Sequence, residues 1–159
     1  DESGSFALPS CSHEHVREIL LIRRELESMA AAHAAKRATR PFISELESLR
    51  DLQRNAENYR TWTAANHAFH FQIYEAANMP ALVDIIDELW RETGPYLIEA
   101  MDAACASNSL LRQEQDKIIS ALHTKNARAA RAAMADELDG LSAFILSNLR
   151  TEPLHRAAG

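Results

Sequence analysis

The stretch TWTAANHAFHFQIYEAAN, residues 61–78, decides the fold of this chain. At about 100° per residue on a helical wheel, its apolar side chains form one stripe, made of Trp62, Ala65, Phe69, Ile73 and Ala76. A stripe with this period predicts a helix that packs on a core. Asn66 and His70 lie one turn apart and also face inward, whereas His67 faces solvent. The stretch therefore predicts a core helix that carries polar groups inward.

The rest of the 159-residue chain repeats the helical period and shows almost no alternating strand pattern. It has only four glycines and five prolines, and it predicts an all-α fold, an antiparallel bundle of six to seven helices with short connections. The predicted helices span residues 13–37, 41–56, 59–77 and 80–106, then a fifth that ends near 125, and 127–150. We interpret residues 1–12 as a linker or tail, 13–150 as one domain and 151–159 as a frayed tail.

Local signals mark several ends of these helices. The predicted caps and stops are Thr39 before Pro41, Asn78 before Pro80, Ser107 or Asn108 before the fifth helix, and Asn126 before the sixth. Pro95 follows Gly94 inside the fourth helix and removes one backbone hydrogen bond there. We therefore expect a kink or a break in that helix.

Composition excludes several classes of protein. The formal net charge is −6 and no dense Lys/Arg stripe is present, so the chain is a poor candidate for binding nucleic acid by itself. Cys11 and Cys105 show no C-x-x-C spacing, which favours a reducing, cytoplasmic setting. No apolar run is long enough to span a bilayer, and no membrane partner is expected. The chain starts with Asp1, and we expect it to be part of a longer protein.

Two further helices direct a polar side chain into the predicted core. Gln115 lies in the middle of the apolar stripe of the fifth helix, and Glu137 lies within the apolar arc of the sixth. A buried carboxylate is costly unless it is paired, hydrogen-bonded or bound to a metal. Together with Asn66 and His70, these residues predict a polar cavity inside the bundle.

Three other residues are weaker candidates. Arg23 flanks the predicted stripe of the first helix, close enough to reach the cavity, although a salt bridge with Glu27 at i+4 would also explain it. Tyr96 is a candidate pocket wall and hydroxyl donor, with core packing as the alternative. His33 lies in line with Ile22 on the apolar stripe of the first helix, and we interpret it as a core histidine without a function.

Three runs of the sequence resemble a known family. They are IRRELESMAAAHAAKRAT (22–39), NHAFHFQIYEAANMPAL (66–82) and RQEQDKIISALHTKNARAARAAMADEL (112–138). Their order and spacing resemble the all-helical C-terminal FCD domain of FadR-type GntR transcription regulators, over residues 16–149. The resemblance implies a domain that binds a small-molecule effector and forms a homodimer. It also implies an N-terminal winged helix-turn-helix, upstream of this chain, through which alone DNA would be bound.

The resemblance also implies a possible metal site. Many members of the family bind a divalent metal through one Asp and three His, and the corresponding positions here are Asn66, His70, Gln115 and Glu137. Only His70 keeps the family's residue, and amide oxygens are weak ligands for transition metals. The sequence therefore favours a domain without a cofactor. A weak, oxygen-rich site for a harder divalent ion stays open.

The sequence thus predicts a domain that senses a small polar metabolite, which we expect to carry a carboxylate. Arg23 would bind that carboxylate, and Glu137 would balance Arg23 or His70 or accept from an amine or hydroxyl of the ligand. The alternatives are a helical module that only dimerises, and a sensor with an altered metal site. An enzyme is not expected, because the one E-x-x-H motif, Glu152 to His155, lies in the tail and contains Pro153.

Overall fold

The computed structural model describes residues 13–104 and 114–149, and within these ranges the chain folds as six helices. They are α1 (His13–Arg37), α2 (Arg40–Arg54), α3 (Tyr59–Ala76), α4 (Pro80–Ala104), α5 (Glu114–His123) and α6 (Ala127–Asn148). The predicted all-α fold is confirmed, and the helix bounds differ from the predicted ones by a few residues. Among these six helices, none combines the length and the apolar content that crossing a bilayer requires.

The predicted caps of α2 and α6 are present. Thr39 Oγ1 accepts a hydrogen bond from the backbone N–H of Phe42, and Asn126 Oδ1 accepts one from Ala129. Each bond satisfies one of the backbone N–H groups that a helix start leaves without a partner. Asn58 caps α3 in the same way, which the sequence reasoning did not identify. The predicted caps Ser107 and Asn108 lie outside the described residues.

Of the kink or break predicted at Gly94-Pro95, the break is wrong, because α4 continues from Pro80 to Ala104 with Pro95 inside it, and the kink stays a prediction. One proline removes a single backbone hydrogen bond, and the bonds of the neighbouring turns hold the rest of this 25-residue helix together.

Cross-helix contacts show that two pairs of neighbouring helices, α1 with α6 and α2 with α3, run antiparallel. Between α1 and α6, Arg24 pairs with Asp139 near the middle of the bundle, whereas Val16 and Leu20, near the start of α1, share an apolar cluster with Ile145, near the end of α6. Between α2 and α3, Gln53 at the end of α2 bonds to Asn66, whereas Glu45, earlier on α2, bonds to Gln72, later on α3. In each pair, the N-terminal half of one helix therefore lies beside the C-terminal half of the other.

The buried face of α1 differs from the predicted one. Ile22 is 41% exposed, whereas Arg23 is 3% exposed. The reason is a row of alanines that packs α1 closely against its neighbours, with Ala30, Ala31, Ala34 and Ala35 all at 0% exposure. His33 is half-buried rather than a core residue. In α4, Ile86 is fully buried, whereas its neighbour Ile85 is 49% exposed.

Candidate functional site

A small cavity lies between four helices, α1, α3, α4 and α6, where the two apolar clusters of the bundle meet. Its lining residues are Arg23, Trp62, Asn66, His70, Trp90, Leu97, Glu137, Leu138 and Leu141. Leu141 contacts both clusters, the large central one and a smaller one around Val16 and Ile145. The space open to the centre of a water molecule is about 20 Å³, which is room for one ordered water.

Arg23 is fixed along one wall of this cavity. Its Nε donates to Glu27 Oε1 at 2.7 Å, and its Nη1 donates to Thr93 Oγ1 at 2.6 Å. The guanidinium carbon lies 4.6 Å from the centre of the Trp90 ring, within the range of a cation–π contact. The third nitrogen, Nη2, is buried and has no hydrogen-bond partner among the described residues. A buried donor without a partner is costly, so Nη2 is the part of Arg23 that a ligand can satisfy.

Glu27 holds Arg23 in place from the next turn of α1. It is fully buried and accepts three hydrogen bonds, from Arg23 Nε, from Trp90 Nε1 at 3.1 Å and from the Tyr74 hydroxyl. Burial, and then the neighbouring Glu27 charge, raises the pKa of Tyr74 well above its usual value of 10. Tyr74 therefore stays a neutral donor to this carboxylate.

His70 connects this network to Glu137 on α6. Its Nδ1 lies 3.1 Å from the Tyr74 hydroxyl, and its Nε2 lies 3.3 Å from Glu137 Oε1. Both side chains are about 95% buried. The second carboxylate oxygen, Glu137 Oε2, is buried without a partner in the part of the chain that the structure describes. Like Arg23 Nη2, it belongs to a residue that lines the cavity.

Amide side chains form a second network behind Asn66. Gln53 Nε2 donates to Asn66 Oδ1 at 3.1 Å, and Gln115 Nε2 donates to Gln53 Oε1 at 2.6 Å. Gln115 is 2% exposed but is not among the residues that line the cavity. It therefore supports Asn66 through Gln53 and does not face the cavity.

Comparison with known proteins agrees with this architecture. Residues 18–140 match the FCD domain. The chain belongs to the FCD domain family. It is 30% identical over 138 residues to the HTH-type transcriptional regulator McbR of Escherichia coli strain K12, which covers 83% of this chain and 62% of that protein. It is 31% identical over 162 residues to the Uxu operon transcriptional regulator of the same strain, which covers 92% of this chain and 62% of that protein.

The solved structure of E. coli McbR/YncC has the same fold, with a TM-score of 0.80 and 27% sequence identity over 90% of this chain and 73% of that chain. This FCD domain spans about three fifths of the length of the two curated relatives. The resemblance predicted from the sequence is confirmed. Because FCD domains are not enzymes, the prediction that this chain is not an enzyme is confirmed as well.

The six predicted effector-binding residues fall into two groups in this FCD domain. Arg23, Asn66, His70 and Glu137 line the cavity together. Gln115 lies behind Asn66, and Tyr96 is buried in the smaller apolar cluster and does not itself line the cavity. The cavity is thus built by α1 and α4 together with α3 and α6, whereas α5 contributes only support. That these residues bind an effector stays a prediction.

His67 is exposed, as predicted, and its ring stacks on Phe71 with the centroids 4.1 Å apart. Partial burial, and then the neighbouring His70, lowers the pKa of His67 below its usual value of 6.5. His67 therefore faces away from the cavity and covers an aromatic side chain.

The four candidate metal ligands do not fit a transition-metal site. Their only strong donors are His70 and Glu137, which face each other at 3.3 Å. Asn66 Oδ1 accepts from Gln53, and Gln115 donates to Gln53. No group of three His, Cys, Asp or Glu side chains in the described ranges could hold a metal ion. This donor set falls one ligand short of a three-ligand zinc site.

Sequence reasoning missed four residues that shape this site: Gln53, Tyr74, Trp90 and Thr93. Tyr74 had a signal, since it follows His70 at i+4 on the same helix. No sequence pattern indicates the other three, Gln53, Trp90 and Thr93, because their partners lie on other helices and at least 13 residues away in sequence.

Proposed function

We propose that this chain is the effector-sensing and dimerisation domain of a bacterial transcription regulator of the FadR-type GntR family. The observation that carries the proposal is the cavity inside the bundle with a buried arginine whose Nη2 atom has no partner in the described residues. The FCD family match and two relatives named as transcriptional regulators support it.

The effector is a small polar metabolite with a carboxylate, bound without a metal. Arg23 Nη2 offers a charged hydrogen bond to one carboxylate oxygen, and such bonds are stronger than neutral ones. Trp62, Trp90 and the leucines of the lining give the site an apolar wall. The buried polar atoms Arg23 Nη2 and Glu137 Oε2 favour a small polar ligand over a fatty chain.

Ligand binding widens the cavity and shifts the packing of α4 against α1 and α6. A shift of this kind regulates the protein only if the ligand prefers one arrangement, by about 1–3 kcal/mol in typical cases. In the whole protein, which we place in the cytoplasm, a separate winged helix-turn-helix domain binds DNA and receives this shift. An electrophoretic mobility assay on the whole protein, with and without effector, tests the relay, and effector-independent DNA binding would contradict it.

A homodimer is the second part of the proposal. Four large apolar residues are exposed on α1 and α4, namely Leu21, Ile22, Ile85 and Ile98. α1 and α4 pack against each other, as the Arg23–Thr93 bond shows, so both helices border one side of the bundle. Sedimentation velocity at micromolar concentration should give a dimer. A monomer at that concentration would contradict this part.

A thermal-shift and calorimetry screen of small carboxylates tests the effector site. Arg23→Lys keeps the charge but loses the planar fork that presents Nη2, so it should weaken binding of any carboxylate hit. Arg24→Lys is the matched control, because Arg24 is its neighbour and pairs with Glu25 and Asp139 outside the cavity. Equal losses in both variants would contradict the assignment of the site.

The small volume of the cavity favours a second candidate function, a module that dimerises and keeps a water in the cavity. This module would dimerise normally and show no stabilisation by any carboxylate. The same screen therefore separates the two functions.

A further inference from the structure

Two buried polar atoms without partners occur in the same cavity, and their chemistry is opposite. Arg23 Nη2 can only donate a hydrogen bond, whereas the carboxylate oxygen Glu137 Oε2 can only accept one. Arg23 is 3% exposed and Glu137 is 5% exposed, so bulk water does not satisfy either atom. A ligand that satisfies both must present an acceptor at one end and a donor at the other.

The charges around the cavity set the net charge of that ligand. Arg23 carries +1 and is paired with Glu27, which carries −1 and already accepts three hydrogen bonds. Glu137 adds −1, and its neighbour His70 adds either nothing or +1. The buried set therefore sums to −1 or to zero. A site with this balance repels a dicarboxylate, because each added negative charge must lose its water beside Glu137 and Glu27.

We propose that the effector is a small zwitterion, with a carboxylate that accepts from Arg23 Nη2 and an ammonium that donates to Glu137 Oε2. The inference rests on the proposed function, because it names the ligand class of the same cavity. A zwitterion adds no net charge to the buried set, and each of its charged ends meets the opposite charge. Simple amino acids are the chemical class that fits.

The size of the cavity adds a condition to this binding. The closed cavity holds about one water, and an amino acid is several times larger. Four of the lining residues are only partly buried, and two of these, Trp90 and Leu97, lie on α4. Binding therefore displaces α4, and the ligand is bound by a conformation that is a minor one in the free protein.

The experiment compares matched probes that differ only in their charged groups. Isothermal titration calorimetry and thermal shift are measured with alanine, propionate and ethylamine, and then with 4-aminobutyrate, butyrate and propylamine. At least one zwitterion should bind about tenfold to a hundredfold more tightly than both its matched acid and its matched amine, since each loses one charged hydrogen bond.

Variants of the chain then test whether Glu137 binds the ammonium group of the ligand. Glu137→Gln keeps the shape of the side chain and should remove the preference for the zwitterion over its acid. Asp136→Asn is the matched control, because Asp136 is the exposed neighbour on the same helix. If Glu137→Gln does not fold, the comparison of the three probes on the wild-type chain still decides the ligand class.

Two results would overturn the inference, and they separate it from the proposed function. If acids or dicarboxylates bind and the zwitterions bind no better, the zwitterion proposal is wrong while carboxylate sensing stands. If no probe and no compound of the carboxylate screen binds, both proposals are wrong and the cavity holds only water.

Discussion

At the scale of single residues, Glu27 is the group on which the cavity wall depends. It is fully buried and accepts from Arg23, Trp90 and Tyr74. Glu27→Ala leaves the Arg23 charge buried and uncompensated, and we expect the free energy of unfolding to fall by about 3–5 kcal/mol. Urea denaturation followed by circular dichroism measures the loss.

The control for this variant is Glu25→Ala on the same helix. Glu25 also pairs with two arginines, Arg24 and Arg131, but its side chain is 52% exposed. Exposed pairs contribute little, so we expect a loss below about 1 kcal/mol. Similar losses in the two variants would mean that burial does not set the strength of the Glu27 network.

Tyr74 predicts a dependence of stability on alkaline pH. Its pKa in the folded chain lies well above 10, whereas in the unfolded chain it returns to about 10. The unfolded state therefore loses this proton first. The contribution of Tyr74 to the free energy of unfolding is fully present below pH 10 and is lost as the pH rises further. Denaturation midpoints should fall above pH 10 in the wild type and less so in Tyr74→Phe. An equal fall in both would exclude Tyr74 as the cause.

At the scale of elements, the turn between α5 and α6 is built from two adjacent residues. The backbone N–H of Asn126 bonds to the carbonyl of Ala121 and that of Lys125 bonds to Leu122, which is the Schellman pattern. Lys125 adopts a φ of 53°, a left-handed conformation that is unfavourable for a residue with a Cβ. Asn126 then caps α6, so the end of one helix fixes the start of the next.

Lys125→Gly should therefore stabilise the fold. Glycine relieves the unfavourable φ but loses more entropy on folding, and the expected net gain is about 0.5–1 kcal/mol. Lys125→Ala keeps the Cβ and is the control, with an expected change below about 0.5 kcal/mol. The thermal midpoints of the two variants measure the difference, and a gain in the alanine variant would point to the lost charge instead.

Asp116 joins α5 to α2 through two arginines. Burial by itself would raise the pKa of Asp116, but hydrogen bonds and charges from Arg54 at 2.5 Å and Arg50 at 2.9 Å outweigh it and lower the pKa below 3.8. The stabilisation by these two ion pairs is thus present above the pKa that Asp116 has in the unfolded chain. It is lost as the pH falls through the pKa that Asp116 has in the folded chain. Asp116→Asn should be less stable than wild type at neutral pH and equal to it well below pH 3.8. A difference that persists in acid would contradict the ion pairs as its source.

The elements themselves were largely predictable from the sequence, because local signals decide where helices begin and end. Thr39 and Asn126 cap helices through bonds to residues three positions away. Which face of α1 is buried was not predictable from its largest side chains. The alanines allow neighbouring helices to approach closely, so they take the buried face and leave Ile22 exposed. The same shift buries Arg23 and Glu27, so the arginine network of the cavity follows from tertiary packing.

At the scale of the whole molecule, the cavity couples four helices, α1, α3, α4 and α6. Arg23 on α1 contacts Thr93 and Trp90 on α4, and His70 on α3 contacts Glu137 on α6. A ligand between Arg23 and Glu137 therefore contacts α1 and α6 at once. This geometry makes the relative position of the helices sensitive to whether the cavity is filled.

Tryptophan fluorescence measures this coupling directly, because the chain has two tryptophans, Trp62 and Trp90, and both line the cavity. Trp90 is half-buried, donates to Glu27 and lies under the Arg23 guanidinium, so its surroundings change when α4 moves. We expect an effector to shift the emission of the Trp62→Phe variant, in which Trp90 remains, more than that of the Trp90→Phe variant. Calorimetric binding without a change in either spectrum would place the ligand elsewhere. The open surface groove beside Asn78 and Asp84, at the turn between α3 and α4, would then be the next place to test.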